Sequence, residues 1–184
     1  MKDINLLREK LKVITAEGFS EEAFHSVIKE VTTFYIDTLQ LSADEVAILL
    51  TDREKIVLSF AYPPHLVDSG LIPTNSPDAF ASNIFRLNRG IVENNFNQQK
   101  HLHLFEYVKT SGQKVKPIWK LMGTVLRAGA DKFGVIEISR KAIDPKEPLE
   151  DFSTDDLRFL DETIGMLAPF IRKVAPEDFR GKLT

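Results

Sequence analysis

The residues best suited to bind a metal ion are two histidines in a polar stretch of the chain. His101 and His103 are separated by one residue, and on a strand that spacing places both side chains on the same face. Glu106 is near in sequence and His65 is a more distant third histidine. Zinc and non-haem iron sites need a complete ligand set, and these residues do not supply one. The favoured interpretation is therefore polar loop residues, with metal binding as the alternative.

Side-chain patterns for catalysis are absent. Asp155 and Asp156 resemble a carboxylate pair for acid–base work, but their place at the start of a helix explains them through capping and the helix dipole. No Ser-His-Asp constellation, phosphate loop or G-x-G-x-x-G sequence is found. The chain contains no cysteine, which excludes disulfides, thiolate metal sites and cysteine nucleophiles. The sequence predicts that the protein is not an enzyme.

Two further sets of side chains are candidates for binding a small molecule. Aromatic and sulfur side chains could line an apolar pocket, or could simply complete a core. These are Phe60, Tyr62, Phe80, Phe85, Phe96, Trp119 and Met122. Arg86, Arg89 and Arg127 are candidates for an anionic ligand, because guanidinium pairs with carboxylate or phosphate through two hydrogen bonds. Solvated surface arginines are the alternative interpretation.

Composition indicates one globular domain with a substantial core. The chain has 184 residues, of which 43% are hydrophobic, and 13 are phenylalanine. Its net charge of −3 and pI of about 5.8 give no basic excess that would favour nucleic acid. The charged N-terminus does not resemble a secretory signal, and no segment is apolar enough to span a bilayer. We expect no nucleic-acid partner, no membrane and a cytoplasmic location.

Apolar residues at three- and four-residue spacing predict helices at both ends of the chain. The first covers residues 2–16 with an apolar stripe at residues 4–14, and the second covers 21–39 with a wider aromatic face. Ser153 begins the last helix, whose stripe covers residues 157–174 and includes Pro169, so a bend is predicted near residues 165–169. The polar tail from Ala175 is expected to fray.

Between these helices lie apolar runs typical of strands. Residues 45–51 and 56–62 flank a short polar turn and predict a hairpin. A short helix over 79–87, capped by Asp78 or Ser76, and a short strand over 91–96 follow, and then a polar excursion over 97–112. Residues 116–141 predict a second, central hairpin with its turn at 129–131. Strands joined by short turns favour an antiparallel sheet with helices packed against it, an α+β fold.

Several segments in this order resemble GAF domains, a sensor family related to PAS domains. The segments are MGTVL (122–126), FGVIEISRK (133–141), FSTDDL (152–157) and FRLNRGIVENN (85–95). The resemblance covers about residues 22–174. It implies an antiparallel sheet of five to six strands, with N- and C-terminal helices on one side and a ligand pocket on the other. Gly134 is expected to permit a close approach at the floor of that pocket.

The sequence departs from the signatures of the best-known members. Cyclic-nucleotide-binding members carry an N-K…F…D-E signature, whereas Arg140-Lys141, Phe152 and Asp156-Leu157 stand in those places here. Bilin-binding members need an attachment cysteine and methionine-sulfoxide-reducing members need catalytic cysteines, and this chain has neither. The resemblance therefore leaves the ligand, and any cofactor, unidentified.

We divide the chain into an N-terminal helix at residues 1–19, which could serve dimerisation, a GAF-like domain at 20–175 and a polar tail at 176–184. The function implied by the resemblance is a regulatory sensor that binds a small molecule or partner protein and signals through its terminal helices. The alternative is an interaction module with a filled pocket. The apolar stripes at 4–14 and 157–174 predict a homodimer formed by the terminal helices.

Overall fold

A computed structural model describes residues 3–96, 116–144 and 148–181. Four helices and six strands are found there. The helices are α1 (Ile4–Ile14), α2 (Glu21–Leu39), α3 (Phe80–Leu87) and α4 (Thr154–Val174). The strands are β1 (Val46–Thr51), β2 (Val57–Tyr62), β3 (Ile72–Pro73), β4 (Ile91–Glu93), β5 (Ile118–Ala128) and β6 (Asp131–Lys141). Short 3-10 turns occupy Ala43–Glu45 and Pro64–Leu66.

The strands form one six-stranded sheet in the order β3-β2-β1-β6-β5-β4, with every neighbouring pair antiparallel. The predicted α+β fold with five to six antiparallel strands is therefore confirmed. The two 11-residue strands of the central hairpin, β5 and β6, pair along their length, with Val125 opposite Val135. Their turn is two residues, Gly129 and Ala130, so Asp131 belongs to β6 rather than to the predicted turn.

The long helices α1, α2 and α4 share the main core with one face of the sheet. Leu7 and Leu11 of α1 are buried there, and Ile4 and Ile14 pack against it. The α4 stripe is buried in the same core through residues such as Ile164. The structure thus places both apolar stripes that predicted the dimer interface inside the protein's own core. Two stripes pairing within one chain look the same in sequence as two stripes pairing between chains.

The helix ends follow their sequence signals at α2 and α4 but not at α3. The Ser20 hydroxyl accepts a hydrogen bond from the Ala23 amide. Ser153 and Asp156 form a capping box, as their spacing indicates. Helix α3 begins after Ala79 without a side-chain cap, so the predicted cap at Asp78 or Ser76 is wrong. Helix α4 continues through Pro169 to Val174, and the predicted bend stays a prediction.

The C-terminal segment packs against the domain, so the expected fraying from Ala175 is wrong for residues 175–181. Phe179 is 2% exposed, and its ring centroid lies 5.7 Å from that of Phe24 on α2. Arg180 also forms an ion pair with the buried Asp52 at 3.2 Å. One aromatic residue in a polar stretch is a minimal hydrophobic pattern, which is why composition alone predicted a mobile tail.

Within the described residues, the opposite face of the sheet carries one helix, α3, and we call it the α3 face. Its core includes Leu49 of β1, Ile84 of α3 and Val135 of β6. Strand β4 is shorter than predicted and ends at Glu93. None of the helices in the described part of the chain is long and apolar enough to cross a membrane.

Candidate functional site

The structure divides the seven predicted pocket residues between the two faces of the sheet. Phe60 and Phe85 are buried in the α3-face core, with Phe80 packed against it. Phe96 is buried in a small cluster with Ile118 and Leu121, which Phe80 also joins. The Phe80 and Phe96 rings meet edge to face at 5.9 Å. The four phenylalanines thus lie together on the α3 face.

The other three predicted pocket residues lie elsewhere. Met122 is fully buried in the main core beneath the long helices, and Tyr62 packs against the same core. Trp119 is half-buried, and its indole Nε1 donates a hydrogen bond to the carbonyl oxygen of Ala142 at 3.0 Å. The shift in the β5–β6 pairing between Ile118 and Lys120 leaves Trp119 without a partner in β6.

The three candidate arginines lie near the C-terminal end of α3 or on its exposed side. Arg127 donates to the carbonyl oxygen of Asn88, the C-cap of α3, and Arg86 donates to the Asn83 side chain at 2.8 Å. Arg89 is exposed. Cations at this end of a helix donate hydrogen bonds to free carbonyls and interact favourably with the negative end of the helix dipole. Arg127 therefore has a structural role. Anion binding by these arginines stays a prediction.

A row of buried polar residues runs along β6 on the α3 face. Glu137, Ser139 and Lys141 alternate with the main-core residues Ile136 and Ile138, and strand geometry places alternate residues on one face. All three polar side chains are at most 9% exposed. We call Glu137, Ser139 and Lys141 the polar stripe. It lies in the middle of the sheet, because β1 and β5 flank β6 on either side.

Glu137 is the least ordinary residue of the polar stripe. It is 2% exposed, and its Oε2 has no hydrogen-bond partner among the residues that the structure describes. Burial disfavours the charged form and raises the pKa of Glu137 from 4.5 to about 8. An uncompensated buried carboxyl is costly, and such groups are concentrated at functional sites. Glu137 is therefore the centre of the candidate site.

The sheet neighbours of Glu137 are small. Its register partners are Ala47 on β1 and Gly123 on β5, so a methyl group and a hydrogen atom flank the carboxyl. A Cβ at Gly123 would lie 2.8 Å from Ile84 Cδ1 and 3.3 Å from Glu137 Cγ. Ile84 of α3 thus closes the site on one side, and Gly123 is needed for this close packing.

Ser139 and Lys141 donate hydrogen bonds to other residues of the protein. Ser139 Oγ donates to the Glu45 carbonyl oxygen at 3.3 Å. Lys141 Nζ donates to the carbonyl oxygen of Asp44 at 2.6 Å and forms an ion pair with its carboxylate at 3.3 Å. The backbone amide of Lys141 donates to Glu45 Oε1 at 2.8 Å. The stripe therefore offers a ligand the lone pairs of Ser139 Oγ and, when Glu137 is ionised, the acceptor oxygens of its carboxylate.

An apolar surface borders the polar stripe. Leu121 is paired directly with Ser139 and clusters with Phe96 and Ile118. Phe80 connects this cluster to α3. The site thus combines a buried acid, a hydroxyl acceptor and aromatic side chains, a composition typical of small-molecule sites, which are mostly apolar with a few placed polar groups.

A second polar region lies at the turn end of the central hairpin but is neutralised internally. A cavity of about 260 Å³ is lined there by charged residues from the turn between β1 and β2, from the start of β6 and from the end of α4 and the segment after it. Lys55 and Arg172 donate to the Asp131 carboxylate at 2.6 and 2.7 Å, and these contacts lower the pKa of Asp131. Arg53 pairs with Glu177 at 3.0 Å. These pairs join the hairpin to the end of α4 and leave a ligand little unpaired charge.

The candidate metal ligands His101 and His103 lie outside the described residues. Within the described ranges, no group of three or more histidine and carboxylate side chains is arranged to hold a metal ion. Glu137 itself was not among the predicted site residues. The available signal was one acid in the otherwise apolar run FGVIEIS of a strand predicted to be central.

Comparison with known proteins gives matches in structure but not in sequence. No family model matches the chain, and no curated protein gives a significant match. The GAF domain of an Acinetobacter phosphoenolpyruvate-protein phosphotransferase is similar with a TM-score of 0.62 and 13% identity, covering 94% of this chain and 95% of that one. The GAF domain of a two-component sensor histidine kinase from Bacillus halodurans gives 0.51 and 19%, covering 78% and 92%.

An enzyme is also among the similar structures. A type II free methionine-R-sulfoxide reductase from Thermoplasma acidophilum gives a TM-score of 0.56 at 17% identity, covering 82% of this chain and 94% of that one. At such identities the comparisons establish the fold and leave the activity open. The six-stranded sheet, the helices on its two faces and the near-complete coverage agree: this protein has the GAF-domain fold.

Proposed function

We propose that this protein is a regulatory sensor of the GAF type, which binds a small molecule at the polar stripe and signals through its terminal helices. The observation that carries the proposal is Glu137, a carboxyl buried at the centre of the sheet whose Oε2 has no partner among the described residues. A bound molecule that donates a hydrogen bond would supply a stabilising contact for it. The similarity to GAF domains of a histidine kinase and a phosphotransferase supports a regulatory role.

Strand β6 supplies the route from the site to the helices. Glu137 lies on the α3 face, whereas its neighbours Ile136 and Ile138 belong to the main core shared with α2 and α4. At the start of the same strand, Asp131 holds Arg172 near the end of α4. A ligand that moves β6 would change the packing of α4 directly, because packed cores respond as units.

One observation favours an interaction module with a filled pocket as the second candidate. Ile84 reaches Gly123 and occupies part of the space over the sheet, and Phe60 and Phe85 are buried in the same layer. In that case the α3 face would be core, and the protein would act by docking or dimerising. The partner would then be a protein rather than a small molecule.

The two candidates differ in whether the purified protein holds a ligand. Native mass spectrometry of the full chain is expected to show a mass that exceeds the polypeptide mass, 20.9 kDa for each chain present, by the mass of a ligand. A thermal-shift panel of nucleotides, amino acids, amines and organic acids should then contain at least one stabilising compound. The Glu17→Gln variant changes an exposed acid and is the matched control for replacing Glu137. It should retain the thermal shift. An apo mass together with no shift across the panel would rule out the sensor.

The proposal includes the absence of catalysis and a cytoplasmic location. The lack of cysteine removes thiol chemistry, and no nucleophile with an adjacent base emerged from the sequence. Turnover of methionine sulfoxide by the purified protein would contradict the first statement. Recovery in the membrane fraction after cell lysis would contradict the second.

We also propose a homodimer formed by the terminal helices, through side chains that the core does not use. Leu6 and Val13 of α1 are 72% and 78% exposed, and their seven-residue spacing places them on one face. Met166 of α4 is a further exposed apolar residue. Light scattering at micromolar concentration should give twice 20.9 kDa, and Leu6→Glu with Val13→Glu should give the single-chain mass. The single-chain mass for the unmodified protein would exclude the dimer.

A further inference from the structure

The polar stripe also indicates the chemical class of the ligand, an inference that rests on the proposed sensor function. We infer that the site binds a small organic ammonium ion, whose N–H groups donate to Glu137 Oε2 and Ser139 Oγ. Both atoms are acceptors that face the same side of the sheet, two residues apart on β6. The apolar part of the ligand would contact Leu121 and the edge-to-face pair of Phe80 and Phe96.

The hydrogen bonds already formed by Ser139 and Lys141 favour a ligand that donates hydrogen bonds. The Ser139 hydrogen is directed to the Glu45 carbonyl, so Ser139 Oγ presents lone pairs. The Lys141 ammonium group is directed to Asp44, and its backbone amide to Glu45. The Ser139 hydroxyl hydrogen, the Lys141 amide hydrogen and two of the three Lys141 Nζ hydrogens are therefore engaged within the protein. An ammonium group supplies up to three N–H donors and complements this arrangement.

Charge favours a cation over an anion. Glu137 carries the only carboxyl group on the polar stripe, and Lys141, its only cation, is already paired. An anionic ligand would find no unpaired cation on the stripe, whereas an ammonium ion would supply a counter-charge to the ionised form of Glu137. Strong ion pairs in low dielectric need this kind of matched partner.

Several charged groups on the elements packed around Glu137 have partners of their own. On the β1 side, Glu45 accepts hydrogen bonds from the Ser42 and Lys141 amides. On α3, Arg86 is held by Asn83. Lys132, at the start of β6, donates to the Phe85 carbonyl oxygen at 2.6 Å. Strand β5 places Leu121, Gly123 and Val125 on this face, none of which titrates.

Binding of an ammonium ion should release a proton. The pKa of Glu137 is raised to about 8, so at pH 7 the free protein holds this carboxyl mostly protonated. The bound cation favours the carboxylate, and the proton leaves to solvent. Calorimetry in two buffers of different ionisation enthalpy should therefore detect release of about one proton per ligand bound at pH 7.

The test uses the full chain and matched sets of probes. Ethylamine and phenethylamine are compared with ethanol and 2-phenylethanol, and with propionate and 3-phenylpropionate, which change the charge of the end group while keeping similar carbon skeletons. We expect at least one of the amines to bind at least tenfold more tightly than its alcohol or carboxylate counterpart. Glu137→Gln should weaken that amine by tenfold or more and abolish proton release, while Glu17→Gln should change neither.

The outcomes separate this inference from the sensor proposal. If an alcohol or a carboxylate binds as well as its amine, or if folded Glu137→Gln retains amine affinity, the ammonium inference is wrong and the sensor stands. If no probe binds, the ammonium inference is wrong, and the sensor fails with it only if the native mass is that of the polypeptide alone and the thermal-shift panel gives no stabilising compound. Ser139→Ala, which removes one acceptor but leaves the acid, should weaken the amine by a smaller factor than Glu137→Gln and serves as a second variant.

Discussion

At the scale of single residues, Glu137 is a buried acid whose burial lowers stability. A glutamate in water has a pKa of 4.5, whereas burial raises the pKa of Glu137 to about 8. Between pH 4.5 and about 8, the folded protein therefore holds a proton on Glu137 that the unfolded chain has already released. Residues that lower stability in this way are retained when a binding site needs them.

Replacing Glu137 by glutamine should change how stability depends on pH. Between pH 4.5 and about 8 the folded state binds more protons than the unfolded state, so the free energy of unfolding falls as pH rises. The slope from this group is at most about 1.4 kcal/mol per pH unit and ends above pH 8. Urea denaturation at pH 5, 6.5 and 8 should show Glu137→Gln gaining stability relative to the unmodified protein as pH rises.

The matched control for this prediction is Glu17→Gln, since Glu17 is exposed on the surface. Its stability difference from the unmodified protein should stay constant between pH 5 and 8. A constant difference for Glu137→Gln as well would mean that Glu137 titrates normally, and would remove the support that its pKa lends to the ligand inference.

At the scale of secondary-structure elements, close contact between β1 and β6 depends on Gly134. A Cβ at this position would lie 2.3 Å from the Leu49 carbonyl oxygen, closer than any side chain can approach. The pairing of β5 with β6 shifts between Leu126 and Arg127, next to this contact, so Phe133 faces the main core and Val135 the α3 face. The prediction that Gly134 permits close approach agrees with this geometry, although the approach is to a strand rather than to a ligand.

Gly134→Ala should therefore destabilise the protein by roughly 2 kcal/mol, because the backbone of β1 must shift to relieve the overlap. Gly165→Ala on α4 is the matched control. Gly165 lies inside a helix and has nothing within 4 Å of the added methyl group, so alanine should stabilise by up to about 1 kcal/mol. Chemical denaturation midpoints measure both, and equal midpoints for the two variants would contradict the packing argument.

At the scale of the whole molecule, the C-terminal segment is part of the domain. Phe179 returns to α2 after α4 has ended and is buried against Phe24. Gly181, with φ of +90°, brings the chain close to Val67, where a Cβ would lie 2.4 Å from the carbonyl oxygen. The segment thus connects α2 to the loop after β2, although sequence composition favoured a separate tail.

Phe179→Ala should cost about 3–5 kcal/mol of stability, the usual range for removing a buried phenylalanine side chain. Phe19→Ala is the control, because Phe19 is 55% exposed and its removal should change stability by less than about 0.5 kcal/mol. Thermal or urea denaturation of the two variants provides the comparison. A Phe179 variant as stable as the Phe19 variant would show that the segment contributes nothing in solution.

Local patterns were sufficient for the four helices and for five of the six strands of the described residues, whereas the two-residue strand β3 lies in a stretch predicted as a loop. Residues 21–39 form a helix because apolar side chains recur at helical spacing behind a serine cap, and residues 116–141 form a hairpin because apolar strands flank a glycine turn. Antiparallel topology followed from the short connections. These features depend on residues close together in the chain, which is why the α+β fold and its GAF resemblance could be predicted.

Only the tertiary structure decided which buried residues face each other. The sequence could not assign Met122 to the helix side and Phe96 to the α3 side, nor place Phe179 against Phe24, because those contacts depend on register and on long-range packing. The same holds for Glu137: its identity is local, but its burial opposite Ala47 and Gly123 comes from two other strands. The acid at the centre of the candidate site was visible in the sequence, whereas only the fold showed that its Oε2 has no hydrogen-bond partner among the described residues.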